Sequence, residues 1–163
     1  MTVIRKFRKK MQRFTCLTLF FILSISFGTA KAQTTADSVK AAVNSLFTAM
    51  MHADSVALMK CFAPGAVLQT VVKDKQGVVS VRTEAISGFA SSIGQLPKDA
   101  ADERITFDVV KVDGDLAIAW TPYQFYFQQQ LLHCGVNSFQ LVRLAEGWKI
   151  QYIIDTRRKN GCQ

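Results

Sequence analysis

LAIAWTPYQFYF, residues 116–127, is the stretch that decides the fold. Asp113-Gly114 precedes it, and this dipeptide between two alternating runs is a strong hairpin signal. Apolar side chains stand at both parities of the predicted strand: Leu116, Ile118 and Trp120 on one face, Tyr123, Phe125 and Phe127 on the other. A strand with one face in water alternates apolar and polar residues. We therefore expect both faces of this strand to be covered.

The second face has two candidate coverings, a partner subunit or an apolar ligand cavity at one end of the sheet. Pro122 lacks a backbone donor, and proline is tolerated in strands only at edges, starts or bulges. It therefore predicts a bend, and a long, bent strand lets a sheet curl around helices and leave a pocket. We expect a homodimer through the sheet, and both coverings can coexist.

Three further strands complete a predicted four-strand antiparallel meander with residues 116–127, at residues 105–112, 131–144 and 148–156. Upstream, apolar residues at helical spacing predict three helices interleaved with one hairpin. The helices are expected at 36–51, from Asp54 to a stop before Pro64, and from Thr83 to Gly94, with hairpin strands at 66–72 and 78–82. This order predicts an α+β fold with one antiparallel sheet and helices on one of its faces.

The N-terminal 32 residues have the organisation of a cleaved signal peptide. Six Lys and Arg residues without an acidic residue precede an apolar run over 14–27, and Ala30 and Ala32 have the spacing that a signal peptidase accepts. The run is shorter than the roughly 20 residues of a spanning helix. We expect cleavage after Ala32, a domain over 33–163, a periplasmic or secreted location, and no membrane attachment after cleavage.

The net charge of +8 comes almost entirely from this leader. Residues 1–32 hold seven of the twenty Lys and Arg residues and none of the twelve Asp and Glu residues, so 33–163 has a net charge of +1. Nucleic-acid recognition requires a basic face on the folded domain. The composition therefore predicts no nucleic-acid partner.

Export makes disulfides chemically allowed, and three cysteines remain after residue 32. A tight turn at Glu146-Gly147 would bring Cys134 opposite a residue near Arg158, and Asn160-Gly161 allows the chain to fold back. Cys134 and Cys162 are therefore the disulfide candidates. Cys61 stands next to an apolar helical face and is interpreted as a buried thiol.

The chain resembles the nuclear transport factor 2-like superfamily, which includes SnoaL-like proteins. The resemblance spans residues 36–156 and depends on the first helix, on Asp54 to Phe62 followed by Pro64-Gly65-Ala66-Val67-Leu68, and on Gly147-Trp148-Lys149-Ile150. His133-Cys134-Gly135, Phe139 and the tail from Thr156 to Cys162 resemble exported bacterial members of unassigned role, some labelled putative lumazine-binding proteins.

This resemblance implies a cone, in which a curved antiparallel sheet wraps around the N-terminal helices, with a pocket at the open end and frequent dimerisation through the sheet. Relatives include ketosteroid isomerases, scytalone dehydratase, polyketide cyclases, small-molecule binders and interaction domains, so the fold alone does not choose a function. No active-site motif of the enzymes matches this sequence residue by residue, and no catalytic residue is carried over.

His133 is the candidate catalytic residue, because an imidazole in an apolar cleft can act as acid or base near neutral pH. Its alternative role is a hydrogen bond at a strand end. The candidate ligand-binding residues are Trp120, Tyr123, Phe125, His133 and Tyr152, although each aromatic could instead belong to the core. Asp155 and Arg157 share one parity of the last strand and are expected to face solvent. No spacing indicates a metal or a cofactor, and we expect neither.

Three functions remain open. The first is an exported domain that binds an unknown small molecule in an apolar and aromatic pocket. The second is an enzyme of the isomerase, dehydratase or cyclase type with His133 as its acid or base. The third is a dimeric protein-interaction module without a ligand.

Overall fold

The computed structural model describes residues 34–162, so the predicted signal peptide lies outside the described residues. Three helices and seven strands are present in this part of the chain. The helices are α1 (Thr35–Met51), α2 (Ser55–Lys60) and α3 (Ile86–Gly94). The strands are β1 (Phe62–Lys73), β2 (Val79–Glu84), β3 (Ala101–Ile105), β4 (Val109–Asp113), β5 (Leu116–Phe127), β6 (Gln130–Leu144) and β7 (Gly147–Thr156).

The strands form one curved, unclosed sheet in the order β2-β1-β7-β6-β5-β3, with β4 also paired to β5. The predicted α+β class and the meander from β5 to β7 are confirmed. The sheet is mixed rather than purely antiparallel, because β1 lies parallel to β7 while every other pair is antiparallel. The hairpin β1–β2 thus joins the sheet through β1, which pairs with β7, the last strand of the meander.

Helix α1 begins with a capping box and buries one face. The Thr34 hydroxyl accepts a hydrogen bond from the Asp37 backbone N–H, and the Asp37 carboxylate accepts one from the Thr34 backbone N–H. Residues at helical spacing then pack against β3, β4 and β7. The buried face consists of Val39, Val43, Leu46, Phe47, Ala49 and Met50. Among the described residues, no helix combines the length and the hydropathy needed to cross a membrane.

The predicted strand at 105–112 is two strands, and the break explains why Pro122 is tolerated. Strand β3 pairs with the end of β5 and β4 with its beginning. In the gap, the Thr106 N–H donates to the Pro122 carbonyl at 3.0 Å and the Asp108 N–H to the Trp120 carbonyl at 3.1 Å. In an antiparallel pair, the backbone N and O of one residue point to the same neighbouring strand. The nitrogen of Pro122, which has no hydrogen to donate, therefore points to the gap between β3 and β4, where no ladder hydrogen bond is lost.

Pro122 does not reverse the parity of β5. Ala117, Ala119 and Tyr123 are buried on the concave face. Leu116, Ile118 and Trp120 are 50%, 40% and 45% exposed, which places them on the convex face. The concave face thus contributes to the core, whereas the convex face of this strand is open in a single chain.

Candidate functional site

A cavity of about 130 Å³ lies between the helices and the concave face of the sheet. Its apolar walls come from α1, α3 and the sheet, and its polar side chains from the sheet and the segment that follows β7. The apolar lining consists of Leu46, Phe47, Met50, Leu68, Phe89, Ile93, Phe125, Phe139 and Ile153. The polar lining consists of Glu103, Tyr123, His133, Asn137, Asp155 and Arg157, which we call the polar wall.

Strand register explains why the polar groups meet. The buried polar side chains Thr121, Asn137, Asp155 and Thr70 face each other in one row across β5, β6, β7 and β1. The neighbouring row, one layer deeper, is entirely apolar: Ala119, Phe139, Ile153 and Leu68. The concave face therefore changes from apolar to polar within a single layer, and this change forms one boundary of the cavity.

Tyr123 connects three strands at the polar wall. Its hydroxyl lies 2.9 Å from the Thr156 carbonyl oxygen, 3.2 Å from His133 Nδ1 and 3.4 Å from Asp155 Oδ2. A phenol has one proton to donate, and the carbonyl oxygen is the nearest acceptor. We therefore assign the proton of the imidazole to Nδ1, which donates to the phenol oxygen. In this tautomer Nε2 of His133 is left as an acceptor.

Gly135 makes this arrangement sterically possible. It stands opposite Tyr123 in the β5–β6 register. A Cβ at this position would lie 1.8 Å from the Thr156 carbonyl oxygen and 2.9 Å from Cε1 of Tyr123. Any side chain here would force β6 away from the segment that Tyr123 binds.

His133 lies at the rim of the cavity as a neutral group. Its ring stacks on Phe125 with a centroid separation of 4.9 Å and an interplanar angle of 20°. Burial lowers the pKa of His133, the positive charges of Arg157 and Lys159 lower it further, and Asp155 opposes them. The imidazole is therefore uncharged at neutral pH and can accept a proton.

Asp155 and Arg157 form an ion pair inside the cavity, with 2.8 Å between Arg157 Nε and Asp155 Oδ2. They share one parity, as expected; the expectation that they face solvent is wrong for Asp155, whereas the Arg157 side chain is 44% exposed. Ile153, Asp155 and Arg157 alternate onto the concave side of β7 and its extension, and Asp155 is only 5% exposed. Within residues 34–162, Asp155 Oδ1 and Thr121 Oγ1 are buried without a hydrogen-bond partner.

Glu103 is the carboxyl group that sequence reasoning missed. It accepts a hydrogen bond of 2.7 Å from Nδ2 of Asn137. Burial raises the pKa of Glu103 to about 7, and Asp155 raises it too, whereas Asn137 and Arg157 lower it. The sequence signal was available: Ala101, Glu103 and Ile105 alternate, and a strand extended to Ala101 would have placed Glu103 on the concave face.

The structure brings together three of the five predicted ligand-binding residues. Tyr123, Phe125 and His133 line the cavity. Trp120 does not, because its parity on β5 puts it on the convex face. Tyr152 does not either: a register shift opposite Gln140–Leu141 turns it outward, where its hydroxyl donates to Gln69 Oε1 at 2.6 Å.

Cys134 and Cys162 form a disulfide with a Cα–Cα separation of 5.5 Å. Cys134 and Arg158 exchange two backbone hydrogen bonds of 2.9 and 2.8 Å. The disulfide therefore fixes the tail that provides Thr156 and Arg157 to the polar wall. Cys61 is a half-buried free thiol whose pKa is raised by burial. Among residues 34–162, no group of three or more His, Cys, Asp and Glu side chains is arranged to hold a metal.

Comparison of the sequence with family models and with curated proteins finds no match. Solved structures do match. An NTF2-like protein of unknown function from Shewanella baltica superimposes with a TM-score of 0.60 at 14% identity, covering 76% of this chain and 93% of that chain. The chain has the nuclear transport factor 2-like fold.

The descriptions of two other matching solved structures refer to an enzymatic reaction. A putative dehydratase from Streptomyces avermitilis matches with a TM-score of 0.56 at 16% identity, over 76% of this chain and 96% of that chain. A ketosteroid isomerase-like protein from Erwinia carotovora atroseptica matches with a TM-score of 0.56 at 14% identity, over 78% and 99%. At such identities the likeness establishes the fold alone.

Proposed function

We propose that this domain binds a small, largely apolar molecule of about the size of one ring in the cavity. The observation that carries the proposal is an apolar cavity with a single polar wall. A concave apolar pocket with a few convergent polar groups is the usual form of a small-molecule site. A cavity of about 150 Å³ lined by apolar side chains holds benzene, and this one is about 130 Å³.

A cavity-filling substitution tests this proposal. Ile93 on α3 lines the cavity and is 6% exposed, so Ile93→Phe adds volume where the ligand would lie. Ile118→Phe makes the same change on the convex face. We expect saturable binding of toluene by calorimetry to the natural chain and to Ile118→Phe, and at least a tenfold weaker affinity for Ile93→Phe. Denaturant unfolding of both variants checks that each is folded.

Absence of saturable binding of ring-sized apolar compounds to the natural chain would contradict a ligand-binding cavity. The remaining candidate would then be the dimeric interaction module. Equal binding to both phenylalanine variants would place any bound ligand outside the cavity.

A second candidate function, proton-transfer catalysis of the isomerase, dehydratase or cyclase type, is favoured by Glu103. Its pKa of about 7 means that both protonation states are populated at neutral pH, which suits a general acid or base. His133, neutral and hydrogen-bonded to Tyr123, lies on the same wall. Two structural neighbours are described as a putative dehydratase and as ketosteroid isomerase-like, which supports this chemistry without specifying a substrate.

Deuterium exchange at the carbon next to the carbonyl of cyclohexanone tests this candidate. We expect the natural chain to accelerate exchange, with a rate that rises with pH through about 7 as Glu103 ionises. Glu103→Gln should lower the rate about 10²- to 10⁴-fold, whereas Asp115→Asn, an exposed turn carboxylate, should not change it. A rate equal to that of buffer alone, or one unchanged in Glu103→Gln, would contradict catalysis by this group.

We also propose that the domain works outside the cytoplasm after cleavage behind Ala32. The basic and apolar leader and the small residues at positions 30 and 32 support this. The mass of the protein recovered from the producing cells tests it, since a retained leader would contradict export with cleavage.

A further inference from the structure

We infer that the natural ligand is an uncharged, hydroxyl-bearing ring compound, such as a phenol or a cyclic alcohol, and that its hydroxyl donates a hydrogen bond to Glu103. This inference rests on the proposed ligand-binding function and specifies the class of ligand. It depends on the charges of the polar wall and on which hydrogen-bonding groups there are already engaged.

Charges of both signs are already present on the polar wall. Arg157 is paired with Asp155 at 2.8 Å, and Glu103 adds a second carboxyl group. A carboxylate or phosphate ligand would have to compete with Asp155 for Arg157 and would lie near a like charge. An ammonium ligand would be attracted by the two carboxylates, but it would meet the cation of Arg157 and would lose its hydration in a cavity with a mostly apolar lining. Because an ion is costly to transfer out of water unless it is fully paired and hydrogen-bonded, the cavity favours an uncharged ligand.

The principal donors of the wall are engaged within the protein. The Tyr123 hydroxyl lies nearest to the Thr156 carbonyl, the Asn137 amide donates to Glu103 Oε1, and Nε of Arg157 donates to Asp155. Among residues 34–162, no group donates to Oε2 of Glu103, a residue that lines the cavity. Arg157 also donates from Nη2 to Thr70 Oγ1 at 3.4 Å, and its other guanidinium N–H groups lie on a side chain that is 44% exposed, where water can accept from them. The carboxylate acceptors left free on the wall, among the described residues, are Oε2 of Glu103 and the buried Oδ1 of Asp155. A ligand group that complements these carboxylate oxygens is a donor.

The apolar lining restricts the rest of the ligand. Four phenylalanines surround a space of about one ring: Phe47, Phe89, Phe125 and Phe139. A buried polar group without a hydrogen-bond partner would weaken binding. A ligand with one hydroxyl on an apolar ring satisfies Glu103 and brings no further group that needs a partner.

Calorimetric titration of the full-length chain with phenol, anisole, benzoate and benzylammonium tests this inference. Anisole is phenol with its donor methylated. At about pH 8, where Glu103 is ionised, we expect phenol to bind about tenfold more tightly than the other three compounds, since a hydrogen bond to a charged group contributes about 1.5–3 kcal/mol. In Glu103→Gln the affinity for phenol should fall about fivefold to tenfold, and that for anisole should stay the same.

The outcomes separate this inference from the proposed function. Equal binding of phenol and anisole, or tighter binding of benzoate or benzylammonium, would overturn the hydroxyl-donor ligand while leaving a binding cavity in place. An unchanged affinity of Glu103→Gln for phenol would also overturn it. If none of the four compounds binds, the proposed function itself fails.

Discussion

Gly135 is the residue whose identity is most tightly constrained by the site. It lies against both the Tyr123 ring and the Thr156 carbonyl, and a Cβ there would overlap that oxygen at 1.8 Å. We expect Gly135→Ala to lower the free energy of unfolding by about 4 kcal/mol or more, because backbone rather than a flexible side chain must move. Urea unfolding measures this change.

Gly88→Ala is the matched control for that measurement. Gly88 lies in α3 and a Cβ there would meet nothing within 4 Å, so the substitution should stabilise the helix by about 0.5–1 kcal/mol. A Gly135→Ala variant as stable as the natural chain would contradict the close approach of Gly135 to the Thr156 carbonyl.

Individual residues of the site could be predicted from the sequence where the residue type itself indicated a role in the site. His133 is a rare residue type here, and Tyr123 and Phe125 belong to an aromatic run, so the sequence indicated all three. Asp155 was noticed but assigned to solvent, because parity alone does not say which face of a strand is concave. Glu103 stands among charged residues at 102–104, and its direction follows from its alternation with Ala101 and Ile105 only if the strand is extended to Ala101, which the prediction did not do.

At the scale of the elements, the predicted boundaries of helices and strands agree with the structure where residues near the boundary determine it. Helix α1 was predicted over 36–51 and spans Thr35–Met51. This agreement arises because its apolar stripe and its capping residues are close together in the sequence. Strand β1 was predicted from residue 66 but begins at Phe62. Pro64-Gly65 was interpreted as the stop of a helix, whereas it lies in an irregular part of the strand where Gly65 has φ +72°. The break between β3 and β4 depends on β5 and leaves no local signal.

The segment after β7 is the element that a covalent bond fixes to the site. The disulfide closes a loop between residues 28 positions apart. In the chain-entropy model such a loop contributes about 3–4 kcal/mol to stability, so we expect Cys162→Ser to lower the free energy of unfolding by about that amount. Because the same segment provides Arg157, the affinity for a cavity ligand should fall as well.

Cys61→Ser, at a half-buried free thiol, is the control for the loss of a cysteine side chain. The natural chain treated with a dithiol reductant should match Cys162→Ser in urea unfolding. If Cys162→Ser unfolds at the same urea concentration as the natural chain, the disulfide does not stabilise the fold.

At the scale of the whole molecule, a single chain covers the concave face of the sheet and leaves apolar side chains exposed on the convex face. Strand pairing there places Val109 beside Trp120 and Leu116 beside Val142, and Ile118 lies between Leu116 and Trp120 on β5. The polar side chains of Lys111 and Gln140 stand on either side of Ile118. We call the apolar residues the convex patch: Val109, Leu116, Ile118, Trp120, Val142 and Leu144. Side chains on a water-exposed sheet face are usually polar, and exposed apolar patches rimmed by polar residues mark interaction sites. We propose a second copy of this chain as the covering, which agrees with the homodimer expected from the parity of β5.

Charge placed on this patch tests the dimer. Ile118→Lys introduces an ammonium group at the centre of the patch, where a symmetric dimer would bury it twice, once from each copy. We expect the natural chain to sediment as a dimer and Ile118→Lys as a monomer at micromolar concentration, with toluene binding retained because the cavity opens on the other face. Val79→Lys, on the edge strand β2 and 62% exposed, adds the same charge away from the patch and should stay dimeric. A natural chain that sediments as a monomer would contradict the dimer. A dimer that survives Ile118→Lys but not Val79→Lys would place the contact at the edge of the sheet instead.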